Sequence, residues 1–158
     1  MKKGGYTLIE LIIVLSIIAL LATVGFSGVK YFKDKSESLK LQNNVYEVRA
    51  LLSFAKSYCR KNKVVGNIAI NKNKKEVVFE VLELNHKLTK ILKLDNDINV
   101  SSNFQGGINN INREGFIKTA GTISLSYKNN KFIEITVSVG NDIIRGNDID
   151  ENEGDIID

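Results

Sequence analysis

A chain of 158 residues has room for one modest domain and an appendage, and its length excludes two full domains. Its 43% hydrophobic and 25% charged residues are ordinary overall but unevenly spread, with nearly all uninterrupted apolar sequence before Phe26. The net charge of +4 hides a second asymmetry: residues 30–93 are rich in Lys and Arg, whereas the chain end sets Asp142, Asp148, Asp150, Glu151, Glu153, Asp155 and Asp158 against a lone Arg145.

The first residues, Met1-Lys2-Lys3-Gly4-Gly5, form a short basic leader. Residues 6–26 then read YTLIELIIVLSIIALLATVGF, apolar but for Glu10 and a few hydroxyl side chains. A membrane-spanning helix needs about 20 mostly apolar residues rising about 1.5 Å each, and this run is just long enough. A secretory signal peptide fits poorly, because an acidic residue stands near the front of the apolar run and no A-x-A-like cleavage site follows it. A plain single-pass anchor fits the length but leaves Glu10 unexplained. A carboxylate in hydrocarbon costs about 2.5–3.5 kcal/mol, so its presence asks for a partner.

Gly5-Tyr6-Thr7-Leu8-Ile9-Glu10 closely resembles the class III signal of type IV pilins, pseudopilins and related competence proteins. The resemblance implies that a prepilin peptidase cuts between Gly5 and Tyr6 on the cytoplasmic side. It also implies that the hydrophobic helix is kept and that the new first residue is N-methylated. Tyr6 stands where phenylalanine is more usual and retains an aromatic ring. Glu10 becomes the fifth residue of the mature chain, with an implied role in assembly. Cleavage leaves a charged amine at Tyr6 near an apolar environment. If Glu10 of one subunit pairs with the amine of a neighbour, each offsets the desolvation of the other and the axial register of the two helices is set.

Past Phe26 the pattern turns amphipathic. Gly25 and Gly28 flank the change and are expected to loosen the helix. Pilins commonly carry a helix-distorting proline near this depth, and this chain has no proline at all. Leu41, Val45, Val48, Leu52, Ala55 and Cys59 recur at alternating steps of four and three, with Leu51 and Tyr58 widening the stripe. That is one face of an α-helix, with Lys40, Glu47, Arg49, Lys56 and Arg60 expected largely off it. With nothing to stop it, a helix from Tyr6 to about Arg60 is expected, on the order of 80 Å at 1.5 Å per residue. Its first half belongs in lipid or in a bundle of sister helices, its second half against the head.

From Val64 the signals become those of strands. Residues 64–70 alternate loosely, Asn71-Lys72-Asn73-Lys74-Lys75 is a polar turn, and residues 76–82 read as the return strand of a hairpin. Residues 88–94 are ambiguous between a short helical and an extended link, and residues 98–104 form a short strand. Residues 122–127 alternate strictly, Asn129-Asn130 supplies a turn able to take positive φ, and residues 132–139 alternate back. The fold class is therefore α+β: a long N-terminal α-helix, transmembrane then amphipathic, packed on a small antiparallel β-sheet head. The expected divisions are a leader (1–5), a transmembrane and assembly helix (6–28), an amphipathic helix (29–62) and a β-rich head with an acidic C-terminal tail (63–158).

Phe116, then Gly121-Thr122-Ile123-Ser124-Leu125, then Ile135-Thr136-Val137-Ser138-Val139-Gly140 and Arg145 resemble the C-terminal pattern of GspH/FimT-type minor pseudopilins. The resemblance favours a minor, initiating or tip-associated subunit over the bulk filament protein. Some FimT-like proteins bind DNA through a basic motif after that glycine. Here the place reads Gly140-Asn141-Asp142-Ile143-Ile144-Arg145-Gly146 and offers little positive charge, whereas affinity for DNA comes largely from neutralising phosphates. DNA binding would then rest on lysines elsewhere, such as Lys72, Lys74 and Lys75.

No residues suggest catalysis. Cys59, the only cysteine, forms no intrachain disulfide, and His86, the sole histidine, lies far from it in a polar stretch; a helix cysteine and a surface histidine describe them better than a nucleophile and its base. Residues 148–155 alternate oxygen ligands like a calcium loop, but the glycine falls one place late and the chain ends before the twelfth position, so an acidic, mobile terminus is the better reading. No cofactor and no metal are expected. The expected partners are prepilin peptidase, other pilin or pseudopilin subunits, an inner-membrane assembly platform and membrane lipid. The expected location is the cytoplasmic membrane as a single-pass protein with its head outside, and then a surface filament. The rival readings are a pseudopilin of a type II secretion system, a DNA-binding minor pilin for transformation, and a membrane-tethered β-domain without a filament role.

Overall fold

A computed structural model describes residues 7–81, 83, 87–128, 131–139 and 144–148, with the side chains of 24–27 and 144–148 left aside. The chain divides into two compact units, Met1–Glu37 and Ser38–Asp158. Helix α1, Leu8–Asn62, is 55 residues long and runs through both Gly25 and Gly28 without a break in its helical assignment. Glycine lowers helix propensity by about 1 kcal/mol but keeps its backbone donor, so the helix continues through both. Its C-terminus is closed locally. Lys63 takes φ +56°, and Val64 N–H reaches back to Cys59 O at 3.2 Å, the long bond of a Schellman cap. Arg60 and Lys61 in the last turn suit the negative end of the helix dipole.

In the second unit the predicted stripe is the one that packs. Leu41, Val45, Val48, Leu52, Ala55 and Cys59 are all buried, and Leu51 joins them. Lys56, expected off the stripe, is buried as well. The loop at Gly115, φ +80°, runs against this part of the helix, so close that an added Cβ would sit 2.5 Å from Lys56 O. The covered arc of the helix is therefore wider than its apolar stripe.

The head holds two antiparallel four-stranded sheets. The first has the order β3-β2-β1-β5, from β1 (Gly66–Asn71), β2 (Glu76–Val81), β3 (Thr89–Lys93) and β5 (Ile108–Ile111). The second has the order β4-β6-β7-β8, from β4 (Ile98–Ser102), β6 (Gly121–Tyr127), β7 (Lys131–Val137) and β8 (Ile144–Asp148). Both predicted hairpins form: β1 pairs with β2 from Gly66↔Val81 to Asn71↔Glu76, and β6 with β7 from Gly121↔Val137 to Tyr127↔Lys131. In the first, Lys74 N–H caps Asn71 Oδ1 at 3.1 Å. Asn129-Asn130, the expected turn of the second, lies outside the described residues. The ambiguous stretch 88–94 is extended, since β3 completes a ladder against β2.

Two strands, β5 and β8, lie outside the elements that the sequence predicts. In β5 the sequence INNI carries little β-propensity, yet the strand is held by β1, and its buried Asn109 is satisfied by Thr119 in both directions, donating to Thr119 O at 2.6 Å and accepting from Thr119 N–H at 3.2 Å. In β8 the sequence IRGND consists mostly of residues poor in strands, and its ladder comes from β7. The core collects the inward rows of both sheets against the helix, including Phe79, Leu52, Ile68, Ile98, Ile111 and Ile123.

Candidate functional site: the amino-terminal helix

Helix α1 begins with a reciprocal cap. Thr7 is the last residue before the helix, and its hydroxyl accepts from Glu10 N–H at 3.4 Å. Glu10 reaches back: its Oε2 accepts from Thr7 N–H and from the Thr7 hydroxyl, both at 3.1 Å. This is a capping box, in which two helix-start donors that have no intrahelical partner satisfy each other's residues. The carboxylate also lies at the positive end of the helix dipole. Thr-x-x-Glu ahead of an apolar run is the signal that would have revealed it. Thr7 is thus the residue that fixes the Glu10 side chain at the helix start. Gly5 and Tyr6, the expected cleavage pair, lie outside the described residues.

From there the helix is apolar on every side and uncovered. Across residues 8–21 the large apolar side chains are exposed, from 51% at Ile17 to 77% at Leu8. Even the hydroxyls are turned inward to the helix backbone, Ser16 Oγ donating to Ile12 O at 2.8 Å and Thr23 Oγ1 to Leu20 O at 2.7 Å. A polar group so bonded makes little demand on an apolar surrounding. By length and composition this helix is able to cross a membrane.

The other candidates are not gathered into a site. Cys59 is fully buried at the foot of the helix, and burial pushes its thiol up to about 11, a hydrogen bond from the Gly66 backbone working weakly the other way. A thiol so protected is a poor nucleophile at neutral pH, and His86 lies outside the described residues. Lys72 and Lys74 are exposed in the β1–β2 turn, and the Lys75 ammonium donates to Asn96 O. Arg145 sits in β8 opposite Thr136, while residues 140–143 lie outside the described residues. So do residues 149–155 of the calcium-like stretch. Among the described residues no group of His, Cys, Asp and Glu is placed to hold a metal ion.

Residues 1–26 match the prokaryotic N-terminal methylation motif. The fold is similar to that of the minor pseudopilin EpsH from the type 2 secretion system of Vibrio cholerae, with a TM-score of 0.59 at 12% identity over 71% of this chain and 99% of that one. It is also similar to the type IV minor pilin FimU of Pseudomonas aeruginosa, with a TM-score of 0.57 at 16% identity over 69% of this chain and 90% of that one. No curated protein matches the chain significantly. The leader motif and the fold are thus both similar to those of filament-type subunits. The chain has an α+β architecture similar to that of these two pilin-like proteins, a long N-terminal helix packed on antiparallel sheets.

Proposed function

We propose that the protein is a minor subunit of a type IV filament system, either a pilus or the pseudopilus of a type II secretion machine. The precursor rests in the cytoplasmic membrane as a single-pass protein, with Lys2 and Lys3 inside and the head outside. Prepilin peptidase cuts between Gly5 and Tyr6, and the freed amine is methylated. An inner-membrane assembly platform then lifts the subunit from lipid into a fibre. There the apolar flank of α1 packs against sister helices, and Glu10 meets the amine of a neighbour's Tyr6.

The observation that carries this reading is the combination of a methylation motif over residues 1–26 with a helix whose apolar side chains over residues 8–21 stay exposed. A bare apolar rod is costly in water, at about 25 cal/mol per Å², so it needs lipid or other helices around it. Shared fold with a minor pseudopilin and a minor pilin supports both kinds of machine equally. The mass of the mature N-terminus tests the reading. Loss of residues 1–5 and one methyl group on Tyr6 are expected; an uncut Met1 terminus overturns it in favour of a plain membrane tether.

A further inference from the structure

We propose that the open edge of β3 is a docking site for the acidic C-terminal segment, residues 148–158, of a second copy of this chain. Among the described residues, strand β3 is an edge of the first sheet. The bonds that bracket its ladder, Val81 N–H to Leu88 O and Leu94 N–H to Lys75 O, both 2.9 Å, turn the even-numbered residues towards β2. Thr89, Ile91 and Lys93 therefore present their backbone donors and acceptors to the open side. Ile91 is 54% exposed there. On the helix-facing side, Lys90 Nζ stands 4.3 Å from the centroid of the Phe54 ring, and Phe54, Tyr58 and Lys61 line a hollow of about 290 Å³.

Lysines on an edge strand ordinarily discourage strand pairing. Here they make it selective. Lys61 and Lys90 are in no ion pair among the described residues, while Lys93 faces Glu76 across the ladder. The chain's own end has the complementary chemistry: residues 148–158 contain Asp148, Asp150, Glu151, Glu153, Asp155 and Asp158, isoleucines at 149, 156 and 157, and no basic residue. A strand laid on the open edge takes main-chain hydrogen bonds from Thr89, Ile91 and Lys93, covers Ile91 with an isoleucine, and brings carboxylates to Lys61 and Lys90.

The topology sets the direction of such a contact. β8, from which the acidic segment continues, is the outer edge of the second sheet, and the two sheets adjoin through β1 and β4. Among the described residues, β3 and β8 thus lie at the ends of their sheets away from that junction. Complementary patches at two such ends make a heterologous contact, which propagates from copy to copy instead of closing a pair. Even a minor subunit is then able to sit next to its own copy. The filament reading gives this contact its setting, but the two are tested apart.

Disulfide trapping on the full-length protein in detergent micelles provides the test. Lys90→Cys protein is mixed with Asp150→Cys protein under mild oxidation, with the buried native thiol of Cys59 a poor participant in exchange. A mixed disulfide dimer is expected, lost when Lys61→Glu is added to the first partner and diminished in high salt. Lys118→Cys, on the β5 side of the same sheet, serves as the control partner. A mixed dimer no more abundant than with that control overturns the proposal. So does a Lys90→Cys, Asp150→Cys double variant that closes only within one chain. A failed trap leaves cleavage after Gly5 and dependence on Glu10 untouched, whereas an uncut leader sinks the filament reading and leaves the trap standing.

Discussion

Thr7 and Glu10 hold each other within one chain, the Thr7 amide and hydroxyl both donating to a single carboxylate oxygen, Oε2, at 3.1 Å. The other oxygen, Oε1, takes no part in the box. One side chain is therefore able to cap its own helix and still meet a neighbour's amine. The box also fixes where that carboxylate stands, because its carbon chain is pinned back over the first turn.

Separating the two roles of Glu10 is possible by mutation. Thr7→Val removes the hydroxyl and frays the first turn, at a cost of about 1 kcal/mol, while keeping the carboxylate. Glu10→Ala removes both the cap and the charge. Membrane insertion is expected to survive both changes, since neither shortens the apolar run. Incorporation into filaments, measured by immunoblot of sheared fibres, is expected to fall much further for Glu10→Ala. Normal filament levels in that variant count heavily against the assembly role.

Cys59 predicts an alkaline limit to the stability of the head. Burial penalises the thiolate and pushes the folded thiol up to about 11, from an ordinary value of 9.0. Below pH 9 both states carry the proton and nothing is lost. Above it the unfolded chain releases its proton first, so stability falls as pH rises towards 11, by about 2–3 kcal/mol. Denaturation midpoints across that range, compared with Cys59→Ala, isolate this slope from that of the tyrosines. Equal slopes in both proteins refute the assignment.

How much of this was legible beforehand depends on whether an element speaks through its own side chains. The stripe from Leu41 to Cys59 and the alternation in β6 and β7 are written in the residues that are buried, and both are found as read. β5 and β8 are not so written. Asn109 and Asn110 in one, Gly146 and Asn147 in the other, take strand geometry because a neighbouring strand offers a ladder. The burial of Lys56 is not written in its own side chain either: a distant loop runs against the helix there at Gly115. At the helix start the Thr-x-x-Glu pattern is local and fully legible, a cap signal that stands beside the cost and the pairing of a carboxylate in an apolar run.

Lys63 offers a gain in stability. It closes the helix in a left-handed conformation, φ +56°, that costs a residue with a Cβ roughly 1 kcal/mol and glycine almost nothing. The side chain is exposed, so little packing is lost with it. Lys63→Gly is expected to stabilise the head by about 0.5–1 kcal/mol, read as a rise in the denaturation midpoint. A fall of similar size would mean that the added freedom of the unfolded chain dominates.

Asn44 predicts the reverse. It is 2% exposed on the helix, yet every polar atom of its amide is used. Nδ2 donates to Lys40 O at 2.8 Å and to Asp95 Oδ2 at 2.9 Å, while Oδ1 accepts from Asp95 N–H at 3.1 Å. The amide thus clips α1 to the turn between β3 and β4, where no apolar side chain has the donors and acceptor to replace it. Asn44→Ala leaves the Asp95 N–H without its partner and opens a small void, for a loss of about 2 kcal/mol. Asp95 is itself exposed, so Asp95→Ala surrenders only the carboxylate bond and costs about 1 kcal/mol. Because the backbone bond to Asn44 survives in that variant, the two changes are not equivalent, and a double-mutant cycle is expected to show coupling of about 1 kcal/mol. Additive losses would mean that water already serves the Asp95 carboxylate, and that the clip is made by the backbone alone.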